Sequence, residues 1–540
     1  MNRRRFIKNI SVFAGTGMLL QNCGAPSRKQ VPGEIVGASA GVGHLLRDGS
    51  IGGAPEHTGS TDVVIVGGGV SGLSAARWLQ KHDINEFVLF DLEKNAGGNT
   101  ASGRNKICAY PWGAHYIPIP NNDLPEYLAF LQECNVITGY NEQQLPVYNE
   151  YHLCFAPEER LYINGVWQHG LVPHNGVPPA EQLQIKRFLD QMEVFRNAKG
   201  SDGKDAFAIP VNNSSTDAQY VQLDGMTMKA WLQQNGYTSQ YLHWYCNYCT
   251  RDDFGTRYDE VSAWAGIHYF AGRKGKAANA EHQDVLTWPQ GNAWLAQQLQ
   301  KNYADKIKVN SLVVRVEETA EGVDVVYFDV PAKRLKKISA KQCIVAAPQF
   351  IAQRLVKQPE RQQYVQEHFS YSSWMVANIT VNQLKDRQWE DLCWDNVFYN
   401  SESLGYVEAT HQLLQQHIPQ KVLTYYLPLT KSDAATERKK AMAMQHADWV
   451  QLILTDLQKV HSNIHDAVQH IDVMVWGHAM IRPAVNFIHG NARKEAAKPI
   501  NNRIFFAHTD LAGISIFEEG FYQGIQAANG VLRTIRPGTS

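Results

Sequence analysis

One run of residues limits the fold of this chain more than any other. Thr61-Asp-Val-Val-Ile-Val66 is a short, β-branched apolar segment with the character of a buried parallel strand. It leads directly into Gly67-Gly-Gly69-Val-Ser-Gly72, and Leu73-Ser-Ala-Ala-Arg-Trp-Leu79 then carries apolar residues at helical spacing. Strand, glycine turn and helix are the context in which Gly-x-Gly-x-x-Gly binds a dinucleotide. Gly67 permits the tight turn, Gly69 lets a pyrophosphate approach the backbone, and Gly72 lets helix and strand pack closely. The helix N-terminus then faces the phosphates. A second strand, Glu86-Phe-Val-Leu-Phe-Asp91, ends in a carboxylate 19 residues past Gly72. An acid there can accept hydrogen bonds from both ribose hydroxyls of an adenosine. The expected fold is α/β, with a Rossmann-type dinucleotide-binding domain.

Composition excludes several classes. Of 540 residues, 44% are hydrophobic and 19% charged, the balance of a packed globular protein rather than a disordered one. Lys plus Arg is 51 and Asp plus Glu is 52, which gives no global electrostatic reason to bind nucleic acid. After the N-terminus no apolar run is long enough for a membrane-spanning helix. Eight cysteines are spread thinly, and the one close pair is Cys246-Asn-Tyr-Cys249. With His243 the only histidine beside it, this pair reads as core cysteines or a structural disulfide, and no metal site is expected.

The first residues read as an address. Arg3, Arg4 and Arg5, followed by Phe6-Ile-Lys8 and an apolar segment from Ile10 to Leu20, resemble a twin-arginine export signal over residues 1–23. The export machinery is then a partner, and the mature protein is periplasmic or membrane-anchored. That route carries folded proteins, so it suits an enzyme that takes up its cofactor first. Cys23 is a candidate for lipidation, with plain cleavage or an uncleaved anchor as alternatives. Residues 24–60, rich in Gly, Pro and Ser, read as a flexible tether.

The nucleotide is identified as FAD by resemblance. Leu92-Glu-Lys-Asn-Ala-Gly97-Gly98-Asn99-Thr100 is similar to the second glycine motif of the flavin amine oxidase superfamily, which includes protoporphyrinogen oxidases and phytoene desaturase-like enzymes. There the paired glycines let the chain pass over FAD, although Asn99 stands where many members have Arg. Arg503-Ile-Phe-Phe-Ala-His-Thr-Asp510 looks like the family's late strand, which places Asp510 at the ribityl or phosphate region. The run from Phe517 through Gly520 and Gly524 to Leu532 resembles its closing helix, whose N-terminus faces the flavin pyrimidine ring. Val313, within one residue, is the candidate for the backbone that holds adenine. Gln342-Cys-Ile-Val-Ala-Ala-Pro348 resembles the strand that returns to the nucleotide domain. The resemblance implies a discontinuous FAD-binding domain (61–118, 272–350 and 471–540). An α+β substrate domain (119–271 and 351–470) is inserted in it. No Cys follows Cys393, so the FAD is expected to be non-covalent.

Around the flavin, Tyr110-Pro-Trp112-Gly113-Ala-His115-Tyr116 resembles the glycine-containing stretch that passes beside the isoalloxazine. Gly113 allows the close approach, and His115 and Tyr116 are candidates to face the substrate. Val473-Met-Val-Trp476-Gly-His478 lies where amine oxidases often place a cage aromatic, so Trp476 is the leading candidate, with Tyr522, Phe517 and His478 behind it. Many members carry a Lys that holds a water at flavin N5, but Tyr371–Val381, the corresponding stretch, contains none. The resemblance implies a small-molecule substrate and hydride transfer from carbon to flavin, with an amine favoured. A dehydrogenase, desaturase or isomerase of a hydrophobic non-amine, and a non-catalytic FAD-bound envelope protein, remain open.

Overall fold

Two sheets organise the chain. The computed structural model describes residues 30–385, 392–414 and 419–535. The twin-arginine motif and Cys23 lie outside the described residues.

The nucleotide sheet is assembled from distant segments. Its order is Ile307–Lys308, Phe87–Phe90, Glu56–Val66, Arg334–Val345, Val323–Asp329, Ser311–Glu318, with Ile504–Phe506 pairing Arg334–Val345 on the side. Val66 is level with Phe90 and with Val345, and Val345 is level with Phe506. The parallel strands therefore end together, and the crevice beyond their carboxyl ends is where an open α/β sheet binds its ligand. Val63, Val64 and Ile65 are fully buried, as a central strand covered on both faces requires. The helices Val70–Lys81 and Phe517–Ile535 cross at close range. Ser74 Oγ donates to the Phe521 carbonyl at 2.7 Å.

The second sheet has eight strands in the order Ile35–Val36, Val468–Ile481, Tyr371–Val381, Lys421–Pro428, Tyr406–Glu408, Asp395–Phe398, Glu159–Ile163, Val166–His169. One face packs under the helices Pro179–Arg196, Gln240–Phe254 and Ala263–Ala271, in a core with Phe188, Leu242, Trp264, Trp374 and Trp394. The other face is covered by Ala434–Ala443 and His446–Leu457, through Trp449 and Ile453. Among the described residues no helix is long and apolar enough to cross a membrane.

Two features differ from the sequence reading. Residues 24–60 are not a free tether where they are described: Ile35–Val36 adds a parallel strand beside Val473 and Met474, Ala40–Asp48 is a helix, and the first nucleotide strand starts at Glu56. Composition missed this because the segment is held by backbone pairing and by Glu93, whose carboxylate accepts from Ser39 N–H at 2.8 Å and from Ser39 Oγ at 2.9 Å. Val468–Ile481 belongs to the second sheet, so the start of 471–540 falls in the substrate layer. Of the two alternatives for Cys246 and Cys249, the structure has the core cysteines: both are buried free thiols on one helix.

Candidate active site

The nucleotide end is shaped by missing side chains. Gly67 turns the chain at φ +104°, a conformation that favours glycine. A Cβ there would sit 2.4 Å from the Ala346 carbonyl oxygen, and one on Gly72 would sit 1.9 Å from the Gly67 oxygen. Gly69 caps Val70–Lys81 with no side chain, which leaves first-turn N–H groups of that helix free. Gly69 and Gly97 form an isolated bridge, so the two glycine motifs meet. At Gly69 a Cβ would have only Gly98 Cα near it, at 4.0 Å, and this space at a helix N-terminus suits a pyrophosphate.

Asp91 closes this end. Its carboxylate accepts from Gly68 N–H and from Glu93 N–H, each at 2.7 Å. Burial pushes its pKa up to about 6, against the pull of those two amides. Val313 stays in the strand ladder opposite Tyr327, and the irregularity that follows takes Val314 out of it. The freed backbone is therefore one residue along.

Asp510 is 1% exposed and largely engaged within the protein. It accepts from Gln349 N–H at 2.7 Å and from Tyr371 OH at 2.6 Å, and it pairs with His508 at 2.9 Å. Burial alone would raise its pKa, but His508 and these donors hold it below the usual carboxylate value. Its structural part is to fix the loop before the closing helix. Gly520 packs against Val70, where a Cβ would lie at 3.3 Å, so its small size serves the helix contact. A Cβ on Gly113 would sit 2.1 Å from the Asn99 oxygen. Gly113 thus keeps its segment against the second glycine motif. Taken together, the cradle, the acid and the glycine-lined passage fit FAD.

Between the sheets lies a cavity of about 410 Å³. Asn99, Gly113, Trp476, Ala479 and Phe517 line the end nearest the glycine motifs, and Glu159, Asp252, Tyr269 and Asp395 line it further out. Trp476 is directly opposite Trp374 on the neighbouring antiparallel strand, and its indole N–H donates to the Trp112 carbonyl at 2.7 Å. Tyr426 OH donates to the Gly113 carbonyl at 3.0 Å. These bonds fix two ring faces beside the glycine segment.

His115 is boxed by rings, with Tyr426 at 4.8 Å, Tyr116 at 4.9 Å and Trp394 at 5.4 Å between centroids. Burial pushes its pKa down to about 3, so at neutral pH it is an uncharged imidazole. Tyr116 stands edge-on to Trp394 at 5.8 Å and hydrogen-bonds Asp252. The three leading candidates, Trp476, His115 and Tyr116, are thus brought together. Phe517 also lines the cavity, whereas Tyr522 turns away and donates to Glu126 at 3.0 Å. His478 stacks on Phe350 at 4.3 Å, outside the cavity. The register irregularity between Ser372 and Trp374 accounts for this: two extra residues of the facing strand bulge there and break its alternation.

The sequence reading missed the acids. Asp252, Asp253, Asp395, Glu159 and Glu518 all line the cavity. Burial pushes Asp252 up to about 7, helped by the neighbouring Asp253. Asp395 is raised well above the carboxylate range by burial and then by Glu159 and Asp252. Among the described lining residues the arginines are Arg273 and Arg196, and both are engaged. Arg273 pairs with Asp253 at 2.8 Å, and Arg196 pairs with Glu193 and donates to the Phe270 carbonyl at 2.8 Å. One signal was present in the sequence: Asp252-Asp253 just before Gly255 puts two acids at a helix C-terminus, where the dipole disfavours them.

Comparison with known proteins agrees with this geometry. The profile of the family described as "Flavin containing amine oxidoreductase" matches residues 70–532. An L-amino acid dehydrogenase of Synechocystis sp. is 23% identical over 357 residues, 62% of this chain and 69% of that protein. Amine oxidase [flavin-containing] A of Bos taurus is 43% identical over only 65 residues, 12% of each chain. Among solved structures, wild-type putrescine oxidase bound to putrescine superposes with a TM-score of 0.66 at 14% identity, over 88% of this chain and 100% of that one. A fatty acid isomerase from P. acnes superposes with a TM-score of 0.61 at 14% identity, over 88% of this chain and 98% of that one. At that identity the structures share the fold and no more. The chain belongs to the flavin-containing amine oxidoreductases and is an FAD-dependent oxidoreductase.

Proposed function

We propose that the enzyme oxidises an amine to an imine, which then hydrolyses. The observation that carries this reading is the cavity wall: ring faces beside the flavin end and carboxylates beyond, with no lysine and no unengaged arginine among the described lining residues. Such a wall attracts a cationic nitrogen through ring quadrupoles and charge. An apolar chain would instead leave the acids buried without compensation.

Bound FAD supplies a two-electron acceptor. The residues of this chain bind and orient. Gly67, Gly69 and the N-terminus of Val70–Lys81 take the pyrophosphate, and Asp91 takes the ribose. Trp476 and Tyr426, fixed by their bonds to Trp112 and Gly113, hold the amine between ring faces. His115 adds no charge there, so the reacting nitrogen is not repelled and can be present as the free amine. Asp252, whose pKa lies at about 7, can hold a proton in the cavity at neutral pH.

The test is the visible spectrum of the purified holoenzyme, recorded anaerobically before and after adding mono-, di- and polyamines. Bleaching of oxidised flavin, faster above neutral pH, is expected. A spectrum unbleached by any amine but bleached by a lipid or polyene would overturn the reading.

A further inference from the structure

The segment ahead of the first nucleotide strand has no part in the reading above. Its centre is the helix Ala40–Asp48, Ala-Gly-Val-Gly-His-Leu-Leu-Arg-Asp. Nine residues with two glycines do not hold a helix in water by themselves. Contacts with the rest of the protein must hold it, yet none of its residues is fully buried. Val42, Gly43, Leu45 and Leu46 form one half-buried face, while His44, Arg47 and Asp48 are exposed.

The contacts that hold it come from the edge of the nucleotide cleft. Ser39, just before the helix, donates its N–H to Glu93 at 2.8 Å and its hydroxyl to the other carboxylate oxygen at 2.9 Å. Glu93 in turn donates its own N–H to Asp91, the acid at the ribose position. A Cβ on Gly43 would meet the Leu92 side chain at 3.5 Å, an ordinary contact. The helix rests on Ser311–Glu318, and Leu46 packs against the cluster that contains Phe90, Val313 and Leu511. His44 lies within electrostatic reach of His478, as Asp510 does. The helix therefore runs from Asp91 toward the loop that Asp510 fixes, along the carboxyl edge of the nucleotide strands. Behind it, Gly49 turns at φ +62° and Gly53 at φ +118°, and a Cβ on Gly49, Gly52 or Gly53 would meet nothing within 4 Å. This uncrowded link leaves the helix room to swing on its tie to Glu56–Val66.

We propose that Ser39–Asp48 is a latch on the cofactor. It closes the adenosine end of the FAD cleft, its half-buried apolar face completes that wall, and non-covalent FAD leaves when the Ser39–Glu93 contacts open. A helix with few buried contacts opens at low cost, as a gate requires. The coupling is reciprocal: whatever the closed helix adds to FAD affinity, bound FAD adds to closure of the helix. The latch is independent of which substrate the enzyme oxidises.

The experiment uses the full chain, with and without FAD. FAD release is followed by the change in flavin fluorescence after dilution. Limited trypsin digestion is followed at Arg47 and, as a reference on the substrate domain, at Lys186 in Pro179–Arg196. In wild type, FAD should slow cutting after Arg47 at least fivefold more than cutting after Lys186. Leu46→Ala and Ser39→Ala should each release FAD at least fivefold faster, with the thermal midpoint of the apoprotein unchanged. Ser39→Ala, which removes one hydroxyl bond and no packing, decides alone if Leu46→Ala does not fold. Wild-type release rates in the variants would overturn the latch. Faster release together with a lower apoprotein midpoint would also overturn it, because the helix would then support the sheet rather than the cofactor. Equal protection by FAD at Arg47 and Lys186 would overturn the coupling.

Discussion

Replacing Asp91 by Asn tests the cofactor site at its most ordered point. The two carboxylate oxygens each accept one backbone N–H, from Gly68 and Glu93. An amide has one oxygen, so one of those N–H groups must face an NH2. The loss of a hydrogen bond to a charged acceptor costs about 1.5–3 kcal/mol, and it appears in the apoprotein as well as the holoprotein. The mutant also offers FAD one acceptor fewer for the ribose hydroxyls. That costs a further ~1–3 kcal/mol, which appears only in FAD binding, a weakening of roughly five- to 150-fold.

The pH dependence separates charge from shape. Burial lifts the folded-state pKa of Asp91 to about 6, above its ordinary 3.8. Folding therefore takes up a proton between these two values, and the apoprotein loses stability as pH rises through that window. A shift of about two units corresponds to about 3 kcal/mol. The mutant has no such group, so its deficit against wild type should shrink by roughly 2 kcal/mol between pH 4.5 and 7. FAD content after gel filtration, the FAD dissociation constant by flavin fluorescence, and denaturant melts of apoprotein at the two pH values measure all of this. Full FAD retention with an unchanged dissociation constant would refute the assignment of this carboxylate, and a pH-independent difference would refute the buried charge.

Gly524→Ala should destabilise the fold by at least about 1–3 kcal/mol, seen as a lower thermal midpoint, because its Cβ would come 2.2 Å from the Ser71 oxygen. Trp476→Phe keeps a ring but removes the N–H bound to Trp112, so KM for an amine should rise several-fold with kcat less affected. An equal loss in both would mean the ring acts in the reacting complex rather than in binding. Glu93→Ala removes the carboxylate that holds Ser39, and limited trypsin digestion should cut after Arg47 faster than in wild type.

What the sequence revealed follows from how far apart the cooperating residues lie. Gly67, Gly69, Gly72 and Asp91 work within one strand–helix–strand unit, so their geometry is written in local spacing, and the cradle stands where that spacing placed it. Trp476, His115 and Tyr116 were reachable because a short segment beside the flavin and one strand position carry them. The helix Ala40–Asp48 was not legible, since its amphipathic signal is short and its anchor, Glu93, lies beyond two intervening strands and a helix. His478 was misjudged because a bulge, which depends on the partner strand, decides which residues of Val468–Ile481 turn inward. The carboxylates were hidden for a deeper reason. Glu159 and Asp395 become neighbours only through a parallel pairing between segments far apart in the chain, and Asp252 meets them only when a helix packs over that sheet. Any one of them in sequence is a surface acid. Only the fold shows that they line one cavity, with the carboxyls of Asp252 and Asp395 raised by burial, and this is why the chemistry of the cavity wall had to wait for the fold while the cofactor did not.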